Sequence, residues 1–357
     1  MTRTVTSLLW VPCFFVFTSA CTTASPVAEK KAAPRFFPLP PGCEGTWEEI
    51  SLSSSRSSEK PSGTMSEKKL KAFVHQPSAT TEIATIVIHG LRREADRYFN
   101  HFMAATEAAI DCRSHLVIAP RFPEESDRQF LSWNGAWKAG GASRDDSKTS
   151  AFVAIDEILS TFLDTNQFPS LRQVNVVGHS AGAQFVQRYA FFNDIDRQGF
   201  LREGVPLHYV VANPSSYLYL DPRRFDPESG LFSLPSDDAK AGCPTYNSYK
   251  HGLEDIVPEL QRYKSGSEAI TRFSTRQVLY ALGKSDNDVD HADLARTCAD
   301  NFQGTERFSR GMAYYSHLQK IYGDDIGRTQ KLHVVAGVGH ELRKVFEDPV
   351  VRAFLIP

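Results

Sequence analysis

Apolar residues along this chain follow two alternating rhythms. Positions 47–52 and 69–75 alternate apolar and polar residues with a period of two, the mark of half-buried strands, and the Ser/Lys/Glu-rich run 53–68 between them reads as an exposed loop. Runs rich in β-branched and aliphatic residues follow at 81–89, 115–119, 173–177, 207–212, 278–282 and 332–336, as expected for strands buried on both faces. Helical spacing fills three of the intervals: 93–110 (Tyr98, Phe102, Ala105, Ala109), 150–163, and 180–192 (Ala183, Phe185, Val186, Tyr189, Ala190). Strands that alternate with helices predict βαβ units, hence an α/β fold with a mainly parallel central sheet and helices on both faces.

Two stretches break the rhythm. Residues 123–148 hold Trp133 and Trp137 among polar neighbours, and 214–276, after the sixth strand, is dense in Tyr and Phe. A structureless loop of that length does not suit a compact domain, so 214–276 is expected to form a cap or lid over the active site. At the other end, Arg3, the apolar run 8–17 and the small pair Ser19-Ala20 predict an export signal over 1–20, too short to span a bilayer as a mature helix. The Ala/Pro/Lys/Ser-rich residues that follow form a tether over 21–46, leaving 47–357 as the folded domain. Phe17-Thr18-Ser19-Ala20-Cys21 resembles a bacterial lipobox, with Thr18 where that motif most often has Leu. The resemblance implies lipidation of Cys21, a lipid anchor and an outer-membrane address, since Thr22 rather than Asp follows. Release to the periplasm or medium is the alternative.

Export gives the six cysteines meaning. With Cys13 removed and Cys21 lipidated, Cys43, Cys112, Cys243 and Cys298 remain, and four cysteines allow three pairings. Cys243–Cys298 is favoured because it would tie the insertion to the loop carrying a candidate acid; free buried thiols are the alternative. No C-x-x-C pair, P-loop, G-x-G-x-x-G or ligand cluster calls for a metal or cofactor. A net charge of −2 with no basic block gives nucleic acid nothing to bind.

The run 173–177 ends in Gly178-His179-Ser180-Ala181-Gly182, a G-x-S-x-G, and a helical pattern begins at once. A strand, a sharp turn and a helix in that order lift the Ser180 hydroxyl above the sheet and aim a helix N-terminus at whatever it attacks. Small residues at 178 and 182 let neighbouring backbone pass the turn. A nucleophilic serine needs a base, an orienting acid and an oxyanion site. His340, in a Gly-rich loop after the last strand, is the candidate base. His333 precedes that strand on the wrong side of the sheet, His291 and His317 read as surface residues, and His179 shapes the pocket. The acid should follow 278–282, where Asp286 is favoured, Asp288 is the alternative and Asp290 lies behind. The unused carboxylate would cap a turn or face solvent. Backbone N–H groups of Ala181 and of Leu91, after His89-Gly90, are the candidate oxyanion donors.

The ordered set Gly90, Ser180, Asp286 and His340 resembles the α/β-hydrolase superfamily over 47–355. That resemblance implies a Ser-His-Asp triad that hydrolyses a small-molecule or polymer carboxylic ester through an acyl-enzyme. The same residues would serve a serine peptidase or amidase, and an inert membrane-tethered binding module would keep the fold without the reaction. Segments 212–217, 243–247 and 303–307 are further similar to a group of exported bacterial and fungal hydrolases, a likeness that names no substrate. Acyl and alcohol specificity and oligomeric state stay open.

Overall fold

The computed structural model describes residues 39–52, 68–76, 80–107, 109, 111–125, 129–145, 148–162, 167–195, 204–263 and 266–357. The lipobox and most of the tether lie outside them. In chain order the strands are β1 (Thr46–Leu52), β2 (Lys68–His75), β3 (Ile83–Ile88), β4 (His115–Pro120), β5 (Gln173–His179), β6 (Leu207–Ala212), β7 (Arg224–Asp226), β8 (Leu231–Ser233), β9 (Gln277–Gly283) and β10 (Gln330–Val335). The helices are α1 (Ala95–Thr106), α2 (Ala151–Phe162), α3 (Ala181–Phe192), α4 (Asp237–Gly242), α5 (Ser267–Ser274), α6 (Cys298–Asn301), α7 (Arg307–Tyr322), α8 (Leu342–Glu347) and α9 (Pro349–Leu355).

Eight strands form one sheet in the order β1-β2-β4-β3-β5-β6-β9-β10, while β7 and β8 make a separate hairpin. β2 runs antiparallel to both neighbours, and the other neighbouring pairs are parallel. Alternate residues of the central strands point to opposite faces. Ile86, Ile88, Val176 and Tyr209 enter one core with α2, α3, α5 and α7; Val87, Val177, Val210 and Leu279 enter the other with α1, α8 and α9. The registers keep strand ends level, with Ile88 opposite Gly178, His179 opposite Ala212 and Val335 opposite Gly283. Loops leaving the carboxyl ends of β3, β5, β9 and β10 therefore meet on one rim of the sheet, where open α/β sheets bind ligands.

The irregular 123–148 stretch folds inward. Trp133 and Trp137 are fully buried, and Trp137 stacks on Phe122 at 5.4 Å. Segment 214–276 carries the β7–β8 hairpin, α4 and α5, and its first residues, Ser215 to Leu220, are buried. Phe273 of α5 packs edge-on against Phe191 of α3. Cys243–Cys298 fastens this segment to α6, and Cys43–Cys112 ties the chain before β1 to the turn before β4.

Two histidines sit elsewhere than the sequence suggested. His317 is fully buried in α7, where its Nε2 accepts the Leu220 N–H at 3.0 Å; burial drives its pKa down to about 3, so it is neutral. Its surface reading fails because α7 turns a polar face inward. His333 lies within β10, which starts at Gln330, rather than before it, although the apolar run 332–336 already spans it, and it sits beside Asp348 at 2.9 Å. His291 is partly rather than fully exposed.

Candidate active site

Ser180 stands between β5 and α3 with φ 60° and ψ −120°, a conformation that costs on the order of 1–3 kcal/mol and persists only where its surroundings enforce it. They do so here by close packing. A Cβ on Gly178 would strike the Gly182 backbone, and one on Gly182 would strike the Ile88 carbonyl of β3. The two glycines let the turn, the new helix and the neighbouring strand occupy nearly the same space. The Ser180 N–H is held by the Ala212 carbonyl at 2.9 Å, so the turn is also anchored to β6.

The loops after β9 and β10 bring Asp286 and His340 to this serine. The Ser180 hydroxyl donates to His340 Nε2 at 2.9 Å, and His340 Nδ1–H donates to Asp286 Oδ2 at 2.7 Å. Asp286 is 3% exposed and Ser180 is 8% exposed, so the path is shielded from water yet reachable at its serine end. Burial lowers the His340 pKa below its usual 6.5; Asp286 opposes the shift, while Arg307 and His291 add to it. The imidazole is therefore neutral at pH 7, as a proton acceptor must be. Asp288 is exposed and accepts the Asp290 N–H at 2.9 Å, a turn-capping role.

His179 is buried beside His340, with ring centroids 4.4 Å apart, and its nitrogens make no hydrogen bond among the described residues. Burial first, then His340, Arg307 and His291, holds its pKa well below 6.5. It is a neutral wall against which the His340 ring packs. His291 lies on another side of the same ring at 5.1 Å.

Across the rim, His89 Nδ1–H donates to the Gly90 carbonyl at 2.9 Å and Nε2 accepts the Phe122 N–H at 3.0 Å. Burial pushes its pKa down to about 3, so this tautomer is fixed and pins the loop after β3. The N–H groups of Leu91 and Ala181 make no hydrogen bond to another described residue. Both belong to segments flanking Ser180, since β3 adjoins β5.

Two positioning residues carry no motif of their own. Asn213, at φ 49°, donates from Nδ2 to the Gly339 carbonyl at 3.1 Å and accepts the Gly283 N–H on Oδ1 at 2.8 Å, clamping the base loop to the acid loop. Arg307, fully buried at the start of α7, donates to Asp286 Oδ1 at 3.3 Å, to Ser215 Oγ at 3.0 Å and to His291 Nδ1 at 3.3 Å. Both fall in segments quoted above for their resemblance, but nothing in the linear sequence gives these contacts.

No family model matches the sequence, and no curated protein matches it. Solved structures do match. The chain is similar to poly(aspartic acid) hydrolase-1 from Sphingomonas sp. KT-1, with TM-score 0.57 and 18% identity over 85% of this chain and 96% of that one. It is also similar to a poly(3-hydroxybutyrate) depolymerase from Bordetella parapertussis, with TM-score 0.55 and 19% identity over 87% of this chain and 94% of that one. Likeness at such identity is likeness of fold. With its sheet order and the sharp turn after β5, this chain has the α/β-hydrolase fold.

Proposed function

We propose that the protein is a serine hydrolase that cleaves a carboxylic ester by two-step acyl transfer. The observation that carries this reading is the unbroken hydrogen-bond path from Ser180 Oγ through His340 to Asp286, at 2.9 and 2.7 Å. His340 Nε2 takes the hydroxyl proton as Ser180 Oγ bonds to the ester carbonyl carbon. The carbonyl oxygen, now an oxyanion, accepts from the Ala181 and Leu91 N–H groups; one such donor is worth about 3 kcal/mol of barrier. His340 then returns the proton to the leaving alcohol, and water, activated by the same imidazole, frees the acid. Asp286 keeps the proton on Nδ1 and stabilises the imidazolium.

Under this reading the 214–276 insertion is a fixed cap, tied to the body by Cys243–Cys298 and by buried arginines. Arg310 donates to the Ser215 carbonyl at 2.6 Å, and Arg188 to Ser216 Oγ at 3.2 Å. Two disulfides suit an oxidising compartment, which supports export. Lipidation at Cys21 and an outer-membrane address remain part of the proposal and rest on the leader sequence alone. A polymer substrate is in keeping with the names of the two structural neighbours, one a hydrolase of poly(aspartic acid), a polyamide, and the other a depolymerase of poly(3-hydroxybutyrate), a polyester.

Substrates that share an acyl group test the reaction class. Purified protein is expected to release nitrophenol from 4-nitrophenyl butyrate and no nitroaniline from 4-nitrobutyranilide. Faster cleavage of the anilide would make it an amidase or peptidase, and turnover of neither, together with no fluorophosphonate labelling of Ser180, would make it a binding module.

A further inference from the structure

A cavity of about 510 Å³ opens between the insertion and the turn that carries Trp137, bordered by Ala139, Tyr249, Lys250, His251, Val257 and Glu259. Its size and mixed lining suit a small-molecule segment. Of the cations here Lys250 borders the cavity itself, and it feels the charges of Arg188 and Lys138. Arg188, fully buried on α3, spends its donors on neutral oxygens: the Lys250 carbonyl at 3.1 Å, the Gln184 carbonyl at 2.9 Å and Ser216 Oγ at 3.2 Å. Lys138 and Lys250 are half-buried, and neither ammonium makes a hydrogen bond or ion pair with a described residue. The nearby carboxylates are already engaged. Asp300 Oδ1 accepts from His251 at 2.8 Å and its Oδ2 from the Thr297 N–H and hydroxyl at 2.9 and 2.6 Å, while Glu259 accepts the Ala142 N–H at 2.9 Å.

The cations strain against one another. Burial, then Arg188 and Lys138, hold the Lys250 ammonium down to about 8, with Asp300 opposing. Burial and Arg188 likewise lower Lys138, which also feels Arg93 of the loop after β3. An added anion would relieve both, because half-desolvated charges interact more strongly than charges in water. Arg188 lies eight residues beyond Ser180 on one helix, about 12 Å at 1.5 Å per residue. Lys138 feels Arg93 of the loop after β3, and the Lys250 ammonium of the insertion feels Lys138.

Resting on the hydrolase reading, we propose that Lys138 and Lys250, backed by Arg188, form a subsite for a carboxylate carried by the substrate several bonds from its scissile carbonyl. The substrate class is then an acid-terminated or acidic ester chain, such as a polyester fragment with a free carboxyl end, rather than a neutral triglyceride.

Half-esters of dicarboxylic acids test this. The 4-nitrophenyl hydrogen esters of succinate, adipate, suberate and sebacate are compared with their methyl diesters of equal length. Wild-type protein is expected to prefer the longer anionic esters by about tenfold or more in kcat/KM, less so in high salt. The ratio should fall to near one in Lys138→Gln/Lys250→Gln and persist in Lys250→Arg, which keeps the charge. Absence of preference at every length, or its survival in the double glutamine variant, overturns the proposal. Calorimetric binding of free suberate to the Ser180→Ala protein separates the two readings. If no ester is cleaved but suberate binds and the double variant loses it, the subsite stands and the reaction class fails. Turnover without anion preference or suberate binding sinks the subsite alone.

Discussion

Ser180→Ala is expected to lower kcat on 4-nitrophenyl butyrate by about 10⁶-fold, down to what oxyanion donors and binding alone supply. The size of the effect follows from the geometry. The Ser180 hydroxyl is the group that His340 Nε2 contacts, at 2.9 Å. Alanine keeps the Cβ and the small volume, so the turn and its Gly178–Gly182 packing survive. What the fold loses is one hydrogen bond, worth about 1 kcal/mol. A melting temperature near that of the parent, with activity gone, is the expected pair of results. A variant that retains more than a few per cent of the rate would place the nucleophile elsewhere.

Asp286→Asn is expected to cost about 10⁴-fold in kcat, and Asp288→Asn no more than a few-fold. An amide at position 286 offers N–H groups to His340 Nδ1, which favours the tautomer with the proton on Nε2. The ring can then no longer accept from Ser180. This substitution should also be felt in stability, because Arg307 and Asp286 are both buried and 3.3 Å apart. Leaving a buried cation without its carboxylate costs about 3 kcal/mol or more. Thermal melting alongside kinetics separates the two losses. Equal kinetic effects at 286 and 288 would reopen the choice of acid, whereas the exposed position of Asp288 predicts none beyond the loss of a turn cap.

The sheet was legible because its central strands are buried on both faces and so read as apolar runs, as in Leu116 to Ala119 or Val278 to Leu282. The Ser180 turn, the loop of His340 and the Leu91 loop were legible for a related reason: each follows such a run at its carboxyl end. The 16-residue α7 was not legible. Its inward face includes Arg307, Arg310 and His317 beside Tyr314 and Leu318, so burial and hydrophobicity part company there and the 3.6-residue apolar period is lost. Misplacing His317 on the surface followed from the same cause. Trp133 and Trp137 sit in a polar stretch whose neighbours gave no sign that the rings turn inward. Asn213 and Arg307 act through partners 70 to 126 and 16 to 92 residues away, respectively, contacts that no local spacing encodes. The Cys243–Cys298 pair, by contrast, was favoured from sequence and is formed, together with Cys43–Cys112.

The most direct measurement is covalent trapping with a fluorophosphonate, followed by peptide mass spectrometry of the full chain. Phosphonylation of the tryptic peptide that carries Ser180, abolished by Ser180→Ala and greatly slowed by His340→Ala, is the expected outcome. Label on another residue, labelling that ignores the loss of His340, or no label under conditions that modify a control serine hydrolase would contradict an activated serine at position 180.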